Sequence, residues 1–114
     1  MSETSAYLII TSTPNPKKME QLQSYITQIM PVMISGGGKP VGRYKVSEQV
    51  WGSDGAKAVA ILEYPSAEAI RDVVASDGFT ALNELRAEVF LHVDLMISDA
   101  FDLSRRQHLT RGVG

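Results

Sequence analysis

The sequence predicts an α+β domain in which an antiparallel sheet of four strands carries two helices on one face. Three observations predict it. Apolar spacing switches between a period of two and one of about 3.6 in the order β-α-β-β-α-β. Turn or cap residues stand at most of the switches. The composition, 44 % hydrophobic and 21 % charged over 114 residues, suits one ordinary globular core without staples.

The first strand is read at residues 6–12, AYLIITS. Tyr7, Ile9 and Thr11 point one way and Ala6, Leu8 and Ile10 the other, and both faces are largely apolar. Asn15 is a good helix cap and Pro16 a good first helical residue. Met19, Leu22, Ile26, Ile29 and Met33 then form one amphipathic stripe. Pro31 inside that stripe removes a hydrogen bond to the carbonyl of Thr27, so a kink is expected there. Gly36-Gly37-Gly38 ends the helix, because glycine takes the left-handed terminal conformation without a steric penalty.

Residues 39–51 read as the second strand and 57–64 as the third, joined through Gly52-Ser53-Asp54-Gly55 into a hairpin. Ser66 caps the second helix, whose apolar side holds Ile70, Val73 and Val74. Ser76-Asp77-Gly78 breaks it, and a second piece carries Phe79, Leu82, Leu85, Val89 and Phe90. Residues 92–98 alternate cleanly as the last strand. This is the ferredoxin-like order, with the first and third strands central. The domain is expected to span residues 1–102, followed by a basic tail, 103–114, with Arg105, Arg106 and Arg111.

Several functions are disfavoured at this level. A formal charge of −2 does not suit a dedicated nucleic-acid binder, and KAVAILEY lacks the basic-aromatic pattern of RNA-binding strands. No apolar stretch approaches the roughly 20 residues that span a bilayer, and the start MSETS is unlike a leader, so no membrane partner and a cytoplasmic location are expected. With no cysteine, no paired histidines at helical spacing and no carboxylate cluster, neither a metal nor another cofactor is expected. Gly36-Gly37-Gly38-Lys39 does not make a phosphate loop, since it ends a helix instead of starting one.

Two helices cover only one face of such a sheet. The other face would hold Tyr7, Ile9, Val59 and Ile61, an apolar surface that a lone chain leaves to water. A twofold homodimer with the sheet faces packed into a barrel is the expected solution.

Tyr7, Tyr25, Pro31, Gly37-Gly38, Gly52, the run Ala60-Ile61-Leu62-Glu63-Tyr64-Pro65-Ser66, Ser76 with Phe79, and Arg86 occur in an order and spacing that resemble the domain of unknown function 1330 family. That family is part of the dimeric α+β-barrel superfamily. The resemblance runs from about Ala6 to Ser98. It implies the fold and the dimer, and no reaction. Similar barrels in the superfamily host cofactor-free monooxygenases and isomerases, and others hold haem through a helical histidine, a place that neither His92 nor His108 is expected to occupy.

The candidate site residues follow. Arg86 borders an apolar helical stripe, where a guanidinium must be paired, and Glu63 is its expected partner. The pair would be a structural tie or, if Arg86 anchors a carboxylate, part of a pocket. Tyr7 and Arg43 complete the expected substrate-binding set. His92 and Asp94 share the face of the last strand that would point into the dimer barrel, and an imidazole beside a carboxylate is a workable general base. Tyr7, Tyr44 and Trp51 are expected to pack as core aromatics, with a ligand lining as the alternative. The function expected is binding or conversion of a small carboxylate or aromatic molecule in a pocket, the alternative being a non-catalytic dimeric module that binds a metabolite or a protein.

Overall fold

The computed structural model describes residues 5–100. The basic tail and His108 lie outside the described residues, as does the proposed boundary at residue 102.

Strand β1 (Ala6–Pro14) leads through a short 3-10 turn into helix α1 (Met19–Ser35). Strands β2 (Lys39–Lys45) and β3 (Ala58–Tyr64) follow, then helices α2 (Ala67–Val74), α3 (Asp77–Thr80) and α4 (Asn83–Val89), and strand β4 (Phe90–Ser98). The four strands form one sheet in the order β2-β3-β1-β4, every neighbouring pair antiparallel. The fold is ferredoxin-like, and the first and third strands are central.

Caps set the helix boundaries. The Asn15 side chain accepts from Lys17 N–H and opens the 3-10 turn, so α1 proper begins later than Pro16. Ser66 caps α2 and Ser76 caps α3. Pro31 does not end α1: Thr27 and Pro31 are both exposed, so water can serve the carbonyl that Pro31 cannot bond. Gly37, with φ of 106°, lets the chain leave the helix, and the Gly38 N–H returns to the Met33 carbonyl. Gly38 also has no room for a Cβ, which would stand 2.7 Å from the Tyr64 hydroxyl.

β2 is shorter than residues 39–51. After Lys45 only the Val46 N–H still reaches across, to the Lys57 carbonyl. Beyond it Gln49 folds the loop onto itself, donating to the Trp51 carbonyl and accepting from Gly55 N–H, so no ladder can continue. Phe90 belongs to β4 and not to the helix before it.

Ala6, Leu8, Leu62 and Tyr64 face a single core with Leu22, Tyr25, Ile29 and Met33 of α1 and Ile70, Val73, Phe79, Leu82 and Val89 of the later helices. All helices of the described residues therefore lie on one side of the sheet. On the other side the register sets Ile61, Ile9 and Met96 in one row and Tyr44, Val59, Thr11 and Asp94 in the next. Tyr44 lies over Gly42 there and is mostly exposed, and Trp51 is 88 % exposed on the hairpin loop. Neither is a core aromatic. Tyr44 leaves the core because its strand position faces away from the helices, and Trp51 because its segment is loop.

Candidate functional site

Helix α1 packs against α3 and α4 and meets the sheet at its C-terminal end, where the Tyr64 hydroxyl donates to the Met33 carbonyl at 3.0 Å. A cleft of about 710 Å³ opens between α1 and the sheet. Such a volume falls within the roughly 300–1,000 Å³ typical of small-molecule sites.

The space has a local cause. Row by row across the helix-facing side, Arg43, Ala60, Ile10 and Leu95 stand together, then Lys45, Ala58, Ser12 and Val93. The two alanines of β3 leave the floor low where larger residues would fill it. Leu22, Ile26, Ile29, Met30 and Met33 form the helical wall. Arg43 and Lys45 are exposed on the edge strand and line the same cleft, and no lining residue among the described ones is acidic. Neither cation has an ion-pair partner among the described residues.

Tyr25 closes the other part of the wall. It lies on the buried stripe Leu22, Tyr25, Ile29, Met33, its ring edge-on to Phe90 at 5.6 Å between centroids. Its hydroxyl accepts from Arg86 Nε at 2.8 Å. Arg86 is 8 % exposed and donates also to Asn83 Oδ1 at 2.6 Å and to the Phe79 carbonyl at 2.9 Å. Its guanidinium carbon stands 3.8 Å from the Phe79 ring centroid and 5.4 Å from that of Tyr25. Stacking and three directed bonds hold this cation without a carboxylate among the described residues. They also tie α4 to α1 and α3.

The expected Arg86–Glu63 pair is not formed. Leu62 and Tyr64 point into the core, so Glu63 between them points to the opposite face, in register with Tyr7 and Lys39. The expected site residues therefore fall into three places. Arg43 lines the cleft. Arg86 sits behind Tyr25 within the helical layer. Tyr7, Glu63, His92 and Asp94 occupy the helix-free face. His92 and Asp94 do come together, Nε2 to Oδ2 at 2.9 Å, on an exposed part of β4. Tyr25 and Ser12 carry no functional expectation from sequence. The signal for Tyr25 was its place on the apolar stripe, three residues after Leu22 and four before Ile29.

Burial pushes the Tyr25 phenol above the usual tyrosine value of 10.0, an effect tempered by the Arg86 hydrogen bond and charge, and burial does the same to Tyr64. A phenol with a raised folded-state value keeps its full stabilising contribution below the unfolded value. It loses that contribution as pH rises through the folded one. Stability is therefore expected to fall above about pH 10. Part of the tyrosinate absorbance should appear together with loss of the circular-dichroism signal. If all tyrosinate formed while the fold remained intact, the burial of both phenols would be contradicted.

A sheet with helices on one face and an apolar cleft beneath the first helix defines a ferredoxin-like α+β protein with a small-molecule-sized cavity. The chain belongs to the family described as Domain of unknown function (DUF1330), whose model matches residues 5–101. No curated protein matches it. Among solved structures, a Rhodopseudomonas palustris protein of unknown function is 18 % identical with a TM-score of 0.74, over 89 % of this chain and 85 % of that one. A Nitrosomonas europaea protein provisionally described as an antibiotic biosynthesis monooxygenase is 10 % identical with a TM-score of 0.65, over 89 % and 94 %. A dimeric protein of unknown function and ferredoxin-like fold from Bacteroides fragilis is 11 % identical with a TM-score of 0.61, over 84 % and 96 %. At these identities the likeness is one of fold. No helix of the described residues is long and apolar enough to cross a membrane.

Proposed function

We propose that this protein is a homodimer that binds a small amphipathic carboxylate in the cleft under α1. The observation that carries the reading is the cleft's lining: apolar on the helix and floor, cationic at Arg43 and Lys45, and without an acid among the described residues. An apolar body would lie along Ile29 and Met33, with its carboxylate at the edge strand. Arginine's paired donors suit a carboxylate there. Binding is favoured over conversion because the nearest base-like pair, His92 and Asp94, lies on the other face of the sheet. The dimer is supported by the uncovered row of Ile61, Ile9 and Met96 and by the dimeric Bacteroides fragilis relative of the same fold. In that assembly His92 and Asp94 would lie at one end of the shared face, and Tyr7 and Glu63 at the other.

Calorimetric titration with octanoate and with octan-1-ol tests the reading. Octanoate is expected to bind and the alcohol to bind far more weakly. Replacing both Arg43 and Lys45 by alanine should weaken octanoate about 10- to 100-fold, the worth of a charge-assisted hydrogen bond, and leave the alcohol unaffected. Equal binding of the two ligands by the native protein would overturn the assignment of the cationic edge.

A further inference from the structure

The cleft has a second polar end that no part of a simple carboxylate would use. Ser12 is 6 % exposed and lines the cleft, and its hydroxyl, without a partner among the described residues, is open to the cleft and not sealed in the core. Tyr25 is 7 % exposed and lines the cleft as well. Its hydroxyl spends an acceptor position on Arg86 Nε, and no acceptor for its own proton is present among the described residues. A hydrogen bond received from a cation polarises the phenol and makes its remaining O–H a better donor. Burial keeps that proton in place as pH rises, because the phenol's ionisation is pushed upward.

The two residues belong to one end of the cleft. Ser12 and Pro14 are neighbours on the helix-facing side of β1, Pro14 is in register with Phe90, and the Phe90 ring stands against that of Tyr25. The cationic end is two strands away: Lys45 is in register with Ala58, and Ala58 with Ser12. Strands lie about 4.8 Å apart, so roughly 10 Å separates the two ends of that row. Ala58, between them, leaves the path along the floor clear.

We infer that Ser12 and Tyr25 form a recognition site for an oxygen atom, so that the cleft selects carboxylates carrying a hydroxyl or carbonyl oxygen about 10 Å from the carboxylate. This rests on the cleft reading above. Arg86 contributes by occupying the phenol's acceptor side, which leaves its proton to be given to another acceptor. The arrangement makes each hydroxyl costly to leave unpaired in a dry complex. A ligand that lacks the distal oxygen is therefore penalised as well as unrewarded.

The test compares 6-hydroxy-2-naphthoate with 2-naphthoate, which differ only in the distal oxygen, by calorimetry or ligand fluorescence. The native protein is expected to bind the hydroxylated probe about 5- to 10-fold more tightly, the worth of one or two neutral hydrogen bonds. Ser12→Ala should erase part of that preference and Tyr25→Phe the larger part. Each substitution should also tighten 2-naphthoate binding a few-fold, since that probe leaves the native hydroxyls unpaired, so the preference shrinks from both sides. The comparison within the native protein needs no variant, and Ser12→Ala is a small change should Tyr25→Phe disturb the Arg86 contacts. Equal affinity for the two probes, or a preference that survives both substitutions, would overturn the oxygen site while the cleft reading stands. Failure of both naphthoates to bind would overturn the two together.

Discussion

Replacing Arg86 by alanine is expected to lower folding stability by about 3 kcal/mol or more. The guanidinium serves the Tyr25 hydroxyl, Asn83 Oδ1 and the Phe79 carbonyl, two of them residues buried in the core. Each lost bond costs about 1 kcal/mol, and the space between the Phe79 and Tyr25 rings is left empty. Lysine should recover little of this, because one ammonium cannot reach three acceptors arranged around a planar fork. Against a total of about 5–15 kcal/mol for a domain, the loss is large. Equilibrium urea unfolding measures it, with the midpoint falling at nearly constant slope. A loss below about 1 kcal/mol would mean that the three helices are held together without this cation.

The second large effect is on assembly. Ile61→Asp is expected to turn the proposed dimer into a monomer at micromolar concentration. Ile61 stands centrally in the helix-free face, in register with Ile9 on one side and Gly42 on the other. A twofold contact would bury two new carboxylates per dimer without partners, at a cost of several kcal/mol, of the order of ~4 for the pair. The fold itself should survive, since Ile61 takes no part in the core beneath the helices. Sedimentation velocity separates the outcomes. A native protein that sediments as a monomer, or a variant that remains dimeric, would remove the sheet face as the interface.

Most of the fold was legible because its signals are local. Ser66 and Ser76 mark helix starts by chemistry that acts within three residues. The alternation of Val93 and Leu95 with His92, Asp94 and Met96 put each on its observed face. The length of β2 was not legible in the same way. Residues 46–51 keep strand-like composition, and the loop is decided by Gln49 binding the chain on both sides of it.

The site was harder because it depends on contacts distant in sequence. Burial of Arg86 followed from the apolar stripe around it. Its partner did not, since Tyr25 lies 61 residues away and is neutral, and an acid was the obvious choice for a cation. Strand parity alone excluded Glu63, as both of its neighbours face the core. The cleft itself arises from Ala58 and Ala60 being small beneath α1, which no single segment announces.

The most direct test of the cleft as the ligand site is a methyl spectrum of the protein labelled at its methionines, titrated with octanoate. Met30 and Met33 line the cleft, whereas Met96 lies on the opposite face of the sheet and Met19 is exposed at the start of α1. Saturable shifts of the Met30 and Met33 methyl signals, with Met96 and Met19 unmoved, are the predicted result. Shifts confined to Met96, or no saturable shift at Met30 and Met33, would contradict the account.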